Sequence, residues 1–395
     1  MGLQVARLQV ERFLVLGSQF SVPGSQFLVL SSQFLVPGSR FLVLSSQFLV
    51  LSSQFSVLSS RFLVFGSWFS VLGSQFSVLG SLHASAPGKI ILCGEHAVVY
   101  GRPAIAIPLT GIRAHASVVP GDPGVGIRFD APDLGRRWLI SSAPHDPLSE
   151  LTLTILQQFG VQHTPDIEIA ITSDIPIASG MGSGAAIATA IVRALASAFG
   201  RDLSAAEVSA LVYESEQRYH GTPSGIDNTV IAYEQAIWFQ RRSEPPHVIE
   251  PLPIATPFTL LIGDTGVRSA TRLPVGEVRR RWQEDPIRYE ALFDAVADVV
   301  YQARRALAEG EIATLGPLLD RNQALLEEIG VSSPELERLI AAARSAGARG
   351  AKLSGGGWGG VMIALVEPET AQQVRQALQA AGATRVLETI VQAAA

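Results

Sequence analysis

The segment at residues 175–188 constrains the fold of this chain more than any other part of the sequence. It reads IPIASGMGSGAAIA, so Gly180, Gly182, Ser183 and Gly184 come directly before an apolar helical pattern over 185–199. Glycines let backbone N–H groups approach a ligand closely, and a helix N-terminus attracts anions. The segment therefore predicts a phosphate-binding loop, with a tight turn and small-residue helix packing as the alternative. No Lys-Ser or Lys-Thr pair follows the glycines, which excludes the Walker pattern.

Length and composition indicate a folded protein of two domains. The chain has 395 residues, of which 47% are hydrophobic and 16% are charged, so it can bury a sizeable core. Five prolines within Ser243–Pro257 are typical of a boundary and predict domains at 83–245 and 255–395. Residues 83–395 hold 26 basic and 34 acidic side chains, which argues against a nucleic-acid or anionic-membrane surface.

Residues 18–80 are a repeat of nine seven-residue units that each begin with serine, as in SQFLVLS and SQFSVLG. The units lack the charged flanking positions of a coiled coil, and Ser, Gln and Gly interrupt each apolar run far short of a transmembrane helix. Residues 1–82 are therefore expected to be a β-prone or disordered low-complexity segment without a part in the chemistry. The close identity of the units also suggests repetitive DNA translated from too early a start codon.

Lysine is nearly absent from this chain, which has 28 arginines and only two lysines, Lys89 and Lys352. The two lysines are candidates for places where a compact ammonium is needed and a guanidinium would not fit. Chance retention is the alternative, and it weighs more for Lys352. The single cysteine, Cys93, lies in an apolar run and cannot form an internal disulfide, so a buried and inert thiol is expected.

The segment SAPGKIILCGEHAVVYG, residues 85–101, carries Lys89, Glu95 and His96 in an otherwise apolar strand and turn. Buried polar groups need partners, and a phosphate or substrate oxygen is one possible partner. A histidine satisfied within the core is the alternative for His96.

The segment EQRYHGTPSGIDN, residues 216–228, places Glu216 near the end of a helix predicted over 205–219, and Asp227 eleven residues later. Phosphoryl transfer needs a metal to neutralise phosphates and a group that orients or deprotonates the attacking hydroxyl. Glu216 suits the metal and Asp227 suits the hydroxyl, while an ordinary N-cap is the alternative for Asp227.

The segment KLSGGGWGG, residues 352–360, has five glycines in six positions and can bring its backbone close to a ligand. Trp358 within it either excludes water from a site or packs in the core, and packing is the favoured interpretation.

These four segments, in their order along the chain, resemble the motifs of the GHMP kinase superfamily over about residues 84–365. SAPGKIILCGEHAVVYGRPAIA and HGTPSGIDNTV are most similar to its mevalonate kinase branch. The resemblance implies an α+β fold with an N-terminal α/β domain that includes a β-strand-rich substrate lobe, and a ferredoxin-like C-terminal domain. It also implies ATP-dependent phosphorylation of the 5-hydroxyl of mevalonate in isoprenoid biosynthesis, with ATP and Mg²⁺ as cofactors.

Carried over position by position, the resemblance assigns Asp227 as the catalytic base and Lys89 as its partner near the substrate hydroxyl. It assigns Mg²⁺ to Glu216 and Ser183. The residues implied for the ATP phosphates form one loop: Gly180, Met181, Gly182, Ser183, Gly184 and Ala185. The residues implied for the substrate come from three segments: Glu95, His96, Thr271, Gly355, Gly356 and Gly357.

Two residues depart from the family pattern. Gly184 stands where the family usually has a second serine, and Trp358 stands where galactokinases, but not mevalonate kinases, carry an aromatic residue. The alternatives are therefore another GHMP small-molecule kinase, for a sugar or a mevalonate derivative, and a catalytically silent ligand-binding homologue. The expected enzyme is cytoplasmic and acts on a small molecule without a nucleic-acid or membrane partner, and a homodimer is left open.

Overall fold

The computed structural model describes residues 82–177, 179–220, 224–244, 247–268 and 271–393, together with nine short strands between residues 13 and 78. Parts of the predicted motifs, namely Ala178, residues 221–223 and residues 269–270, lie outside the described residues. The chain divides into two compact units. One comprises Met1–Leu82, Val119–Val125 and Asp166–Glu168, and the other comprises His83–Val118, Gly126–Pro165 and Ile169–Ala395.

The described strands before residue 82 are short and pair in parallel. They are β1 (Phe13–Val15), β2 (Gln26–Val29), β3 (Leu35–Pro37), β4 (Arg40–Val43), β5 (Phe48–Leu51), β6 (Gln54–Val57), β7 (Phe62–Phe65), β8 (Trp68–Val71) and β9 (Ser77–Val78). Two sheets result, in the orders β1-β2-β4-β6-β8 and β3-β5-β7-β9. Phe27 pairs with Phe13 on one side and Phe41 on the other, so partners lie two repeat units apart. The β-prone or disordered character of residues 1–82 and the early start codon both stay predictions.

The next described strands along the chain form a seven-stranded sheet. Its strands are β10 (Leu82–Cys93), β11 (Pro103–Pro120), β12 (Ile127–Ala131), β13 (Arg136–Leu139), β14 (Ile167–Ser173), β15 (Ile237–Gln240) and β16 (Val248–Pro251). The order is β13-β12-β14-β11-β15-β16, with β10 also paired to β11. From Ala86 onward β10 is buried on both faces, and this run includes Lys89 and the free thiol of Cys93. The prediction of a buried cysteine is confirmed.

Four helices accompany this sheet: α1 (Pro147–Gln158), α2 (Ser183–Ala198), α3 (Ala205–His220) and α4 (Ile226–Tyr233). Capping explains where α3 starts, because Ser204 Oγ accepts from Glu207 N at 3.3 Å and Glu207 Oε2 accepts from Ser204 N at 2.8 Å. The left-handed residues Gly182 and Gly225 precede α2 and α4, so both helices begin at glycine turns. The two turns lie in the predicted segments 175–188 and 216–228.

The C-terminal part is an antiparallel sheet with five helices. Its strands are β17 (Phe258–Asp264), β18 (Gly350–Ser354), β19 (Val361–Val366) and β20 (Arg385–Val391), and its helices are α5 (Arg272–Glu284), α6 (Pro286–Glu309), α7 (Ile312–Ile329), α8 (Pro334–Ser345) and α9 (Pro368–Ala380). The sheet order is β18-β19-β17-β20. Helix α7 approaches the start of β18 closely. A Cβ on Gly316 would collide with the backbone of Arg349, just before β18, and a Cβ on Gly350 would collide with the backbone of Gly316. This approach places β18 and its following loop against α7.

The sequence-predicted helices and the α+β class are confirmed. Apolar spacing in the sequence predicts helices over 185–199 and 205–219 and within 286–309, 312–329 and 333–346. These correspond to α2, α3, α6, α7 and α8. Helices α1, α4 and α5 were not predicted. Strand β16 lies inside the proline-rich segment Ser243–Pro257 and pairs with β15, and the domain boundary there stays a prediction. Within the described residues, no helix combines the length and apolar character needed to cross a membrane.

Candidate active site

Lys89 and Asp227 form the centre of the site. The Lys89 Nζ lies 2.9 Å from Asp227 Oδ1, although the two residues come from β10 and from the first turn of α4. The lysine side chain is 4% exposed and the aspartate side chain is 32% exposed. A ligand can therefore reach the carboxylate while the ammonium stays behind it. The structure brings together the two side chains that the sequence predicted to be catalytic.

The predicted phosphate loop lies directly against Lys89. Met181 is buried, and its carbonyl accepts a hydrogen bond from Lys89 N at 2.9 Å. Gly182 has a φ of 75°, and a Cβ there would lie 2.9 Å from both Lys89 Cγ and Ile231 Cδ1. Only glycine meets both conditions without movement of its neighbours. Ser183 is the first residue of α2, so the loop ends at the positive end of a helix.

Glu216, on α3, is the second carboxylate of the site. Burial and, to a smaller extent, the Asp227 carboxylate raise the pKa of Glu216, Lys89 lowers it, and the net result is a pKa of about 8. Two carboxyl groups thus compete for one ammonium, an arrangement that favours an added cation. Across the described residues, no cluster of three or more His, Cys, Asp or Glu side chains could hold a metal.

The glycine loop of residues 355–360, within the predicted segment 352–360, closes another side of the site. A Cβ on Gly355 would lie 3.6 Å from Gly180 O, and one on Gly356 would lie 3.0 Å from Thr271 Cγ2. The Gly356 carbonyl accepts from His96 Nε2 at 3.0 Å. Three of the predicted substrate residues, His96, Thr271 and Gly356, are therefore neighbours, and Gly355 joins them to the phosphate loop.

His96 is held in an unusual backbone conformation. Its φ is 59°, in the left-handed region that side chains other than glycine seldom adopt. Burial lowers the pKa of His96 to about 4, and the hydrogen bond to Gly356 opposes that shift. The ring is therefore neutral near pH 7, and its Nε2–H donates to the glycine loop instead of carrying a charge.

Glu95 lies in a different environment from the one predicted for it. Its carboxylate is buried, pairs with the Lys352 ammonium and accepts from Asn322 Nδ2 at 3.3 Å. The side chain is thus engaged within the protein, and the structure supplies no support for a direct substrate contact. Glu95 became a candidate as a polar group in an apolar segment and through the family resemblance, but its partners come from β18 and α7.

Trp358 anchors the glycine loop. Its Nε1 donates to Gly330 O at 3.1 Å, and its backbone N donates to Val331 O at 2.9 Å. The residue has a φ of 56°, so the loop holds a bulky side chain in a strained conformation. The favoured interpretation of Trp358 as a packing residue agrees with these contacts to the turn after α7.

Sequence reasoning missed the groups that hold the site in place. Ser354 Oγ accepts from Ile91 N at 3.0 Å and donates to Ile91 O at 2.9 Å, although 263 positions separate the two residues. Arg193 and Arg113 both pair with Glu234 at the C-terminal end of α4. The position of Ser354 within KLSGGGWGG was a usable signal, but no local pattern indicates the two arginines.

Comparison with known proteins agrees with this site. The family model for the N-terminal domain of GHMP kinases matches residues 148–235, and the model for the GHMP kinase C-terminal domain matches residues 303–384. A mevalonate kinase from Pyrococcus horikoshii is 34% identical over 318 residues, covering 76% of this chain and 92% of the relative. Another from Aeropyrum pernix is 36% identical over 293 residues, covering 71% of this chain and 87% of the relative.

A solved structure shows the same similarity. The crystal structure of L. major mevalonate kinase in complex with R-mevalonate superimposes with a TM-score of 0.69 at 30% identity, covering 81% of this chain and 98% of that one. The P. horikoshii relative aligns over 92% of its own length, and the two GHMP models match segments on either side of the proline-rich stretch 243–257. The chain therefore belongs to the GHMP kinase superfamily and, within it, to the mevalonate kinase family.

Proposed function

We propose that this chain phosphorylates the 5-hydroxyl of mevalonate with ATP and releases 5-phosphomevalonate and ADP. The observation that carries the proposal is the Lys89–Asp227 pair, held 2.9 Å apart beside the glycine turn that begins α2. A hydroxyl that meets Asp227 in this place also faces a phosphate cradled by that turn. The names of the relatives supply the choice of mevalonate.

In this proposal Asp227 accepts a hydrogen bond from the attacking hydroxyl and takes its proton as the phosphoryl group transfers. Lys89 keeps the carboxylate oriented and offers positive charge to the oxygens of the transferring group. A loose transition state requires positioning and charge stabilisation more than a strong base. The buried lysine and the rigid glycine turn supply those two functions.

The proposal includes Mg²⁺, which would neutralise charge on the ATP phosphates. The donor set fits this ion, because proteins usually bind Mg²⁺ through one or two carboxylates together with substrate phosphates. Glu216 and the Ser183 hydroxyl are the proposed ligands. The raised pKa of Glu216 supports its role, since a carboxyl group pushed toward protonation gains stability when a cation neutralises it.

The contacts in the site disfavour both alternatives, a sugar kinase and a catalytically silent homologue. The aromatic residue at Trp358 prompted the sugar-kinase alternative, but its contacts to Gly330 and Val331 give it a role in loop structure. A silent homologue does not need the Lys89–Asp227 pair, which buries a lysine beside a partly open carboxylate. A cytoplasmic location and a homodimer stay predictions.

A substrate panel tests the proposal. The full chain is incubated with ATP and Mg²⁺, and ADP release is measured with mevalonate, phosphomevalonate, galactose and homoserine. The expected kcat/KM for mevalonate exceeds that for each other compound by about 100-fold or more, because buried polar groups reject ligands that leave them unpaired. A preference for galactose, or no turnover with any of the four, contradicts the proposal.

A further inference from the structure

The second lysine of the chain, Lys352, is not used in the chemistry proposed above. Its side chain and that of Glu95 are both 0% exposed, and the two form an ion pair between β18 and the turn after β10. Apart from histidine, arginine occupies all other basic positions of the chain. Both lysines are buried and paired with carboxylates. Lys352 therefore needs an explanation of its own.

Hydrogen bonds within the protein engage both groups of the pair. Lys352 Nζ also donates to Leu353 O, and Glu95 Oε2 accepts from Asn322 Nδ2 at 3.3 Å. Gln323, the next residue on α7, accepts from Leu353 N at 2.9 Å. Helix α7 thus holds Glu95 through Asn322 and the backbone next to Lys352 through Gln323. A buried ion pair seldom stabilises a protein more than apolar residues of the same volume would, so its presence suggests a need for one defined geometry.

The ion pair is the middle of three contacts between residues 85–101 and residues 352–360. We call these segments the first and the third motif, after the superfamily motifs that they resemble. Ile91 exchanges two hydrogen bonds with Ser354, Glu95 pairs with Lys352, and His96 donates to Gly356 O. We call these three contacts the clamp. The first-motif members follow Lys89 along the chain, and the third-motif members flank Gly355, so the clamp links the strand of Lys89 to the glycine loop.

The clamp fixes the position of two parts of the active site relative to each other. On one side stand Lys89 and its partner Asp227. On the other stands the loop that contacts Gly180 through Gly355 and Thr271 through Gly356. A small displacement of β18 along β10 would carry this loop away from the phosphates and the substrate. Misplacement of reacting groups by about 1 Å can lower a rate by about 100-fold.

We infer that Lys352 and Glu95 are positioning residues whose buried ion pair fixes the third-motif glycine loop against the strand that carries Lys89. The inference rests on the proposed kinase function. Lysine suits this position because its ammonium reaches the carboxylate and the Leu353 carbonyl from a fully packed site, where a planar guanidinium needs more room.

A set of four variants tests the inference: E95Q, K352M, the double variant E95Q/K352M, and a control double variant R375M/E388Q. The control removes a solvent-accessible ion pair between α9 and β20. Melting temperature, kcat, and the KM values for ATP and mevalonate are measured for the full chain. Activity is assayed far below the lowest melting temperature, so that every variant is folded.

Each single variant leaves one buried charge without its partner, so its melting temperature should fall clearly below that of the wild type. The double variant keeps both side-chain volumes and removes both charges, so its melting temperature should recover. Its kcat should nevertheless stay lower than that of the wild type by about 10- to 100-fold, with the KM for ATP little changed. The control should match the wild type in kcat and both KM values.

A double variant with recovered melting temperature and wild-type kcat and KM would show that the pair serves folding alone, which overturns the inference. If the double variant does not fold, Glu95→Asp replaces it, because the charge remains but the carboxylate is withdrawn by one methylene. A folded E95D with wild-type kcat also overturns the inference, and a folded E95D with reduced kcat supports it. Inactivity of the wild type with mevalonate would instead count against the proposed function.

Discussion

At the scale of single residues, Asp227 is the group through which the proposed chemistry passes. The buried Lys89 holds one of its oxygens at 2.9 Å, and the carboxylate remains partly open to a ligand. Because Lys89 also packs against Gly182, the pair is tied to the phosphate loop. The substrate hydroxyl and the ATP phosphate are thereby brought to the same carboxylate.

Asp227→Asn should lower kcat by about 1,000-fold or more while ATP affinity changes little, because the amide cannot accept the hydroxyl proton. Steady-state kinetics and nucleotide titration on the same preparation measure the two effects. Asp298→Asn, on the exposed face of α6, serves as the control and should behave as the wild type. Equal kcat for Asp227→Asn and wild type would contradict the assigned role.

Glu216 gives the metal-free protein a defined pH dependence. Its pKa is raised from 4.5 to about 8 in the folded chain, so the folded state binds this proton more tightly than the unfolded state. The stability contributed by the group is full below pH 4.5 and is lost as the pH rises through about 8.

In the presence of EDTA, the free energy of unfolding of the wild type should therefore decline relative to that of Glu216→Gln between those pH values. Urea unfolding across this pH range measures the difference. Added Mg²⁺ with ATP should remove the decline in the wild type, because the cation favours the carboxylate. Parallel pH profiles for the two proteins would show that Glu216 does not titrate in this way.

The sequence allowed prediction of the residues whose role is set by local pattern. Lys89, Asp227 and the glycines of 180–184 lie in short segments, and the structure brings them together. Glu95 differs because its environment depends on Lys352, 257 positions away. Nothing in the residues around Glu95 distinguishes a carboxylate that faces a substrate from one that is buried against another motif.

At the scale of secondary structure, two glycines at the start of α2 differ in whether their positions require glycine. Gly182 has a positive φ and touches Lys89, whereas a Cβ on Gly184 would meet no atom within 4 Å. Gly184 already lies inside the helix. The serine that the family usually carries at this position would therefore fit without displacing its neighbours.

Gly182→Ala should sharply reduce ATP affinity and kcat, because its Cβ would collide with Lys89 and Ile231. Gly184→Ala is the matched control and should keep activity while stabilising the protein by about 0.5–1 kcal/mol, since alanine favours the helix. Thermal unfolding and ADP-release kinetics on both variants provide the comparison. Loss of activity in Gly184→Ala alone would contradict this account of the loop.

Elements with strong periodicity could be predicted from the sequence, and short elements could not. Helices α6, α7 and α8 show sustained apolar spacing, and a capping residue marks at least one end of each: Asp285 for α6, Gly330 for α7 and Ser333 for α8. Helix α4 is only eight residues long, and its ends depend on Gly225 and on the pairing of Glu234 with Arg193 and Arg113. Strand β16 lies among prolines and exists because β15 offers it an edge.

At the scale of the whole molecule, the described site lies entirely within the second unit. Residues assigned to ATP, metal and substrate fall between positions 89 and 357, and the relatives align over about three quarters of the chain. The repeat contributes none of these residues. The resemblance of four ordered motifs gave the overall fold class, because their order reflects the topology of a known family.

Deletion of residues 1–81 should therefore leave kcat and both KM values unchanged. The number of chains in each assembly should also stay the same. Steady-state kinetics and analytical ultracentrifugation of the full and shortened chains test this expectation. A shortened chain that folds but loses turnover, or that changes its state of assembly, would assign the repeat a role in the enzyme.

The most direct test of the central claim is to identify the product by phosphorus NMR after incubation of the full chain with ATP, Mg²⁺ and mevalonate. The claim predicts that the γ-phosphate signal of ATP is replaced in equal amount by that of 5-phosphomevalonate, and that Asp227→Asn binds ATP without forming this product. Inorganic phosphate as the sole product, or no consumption of ATP by the wild type, would contradict it.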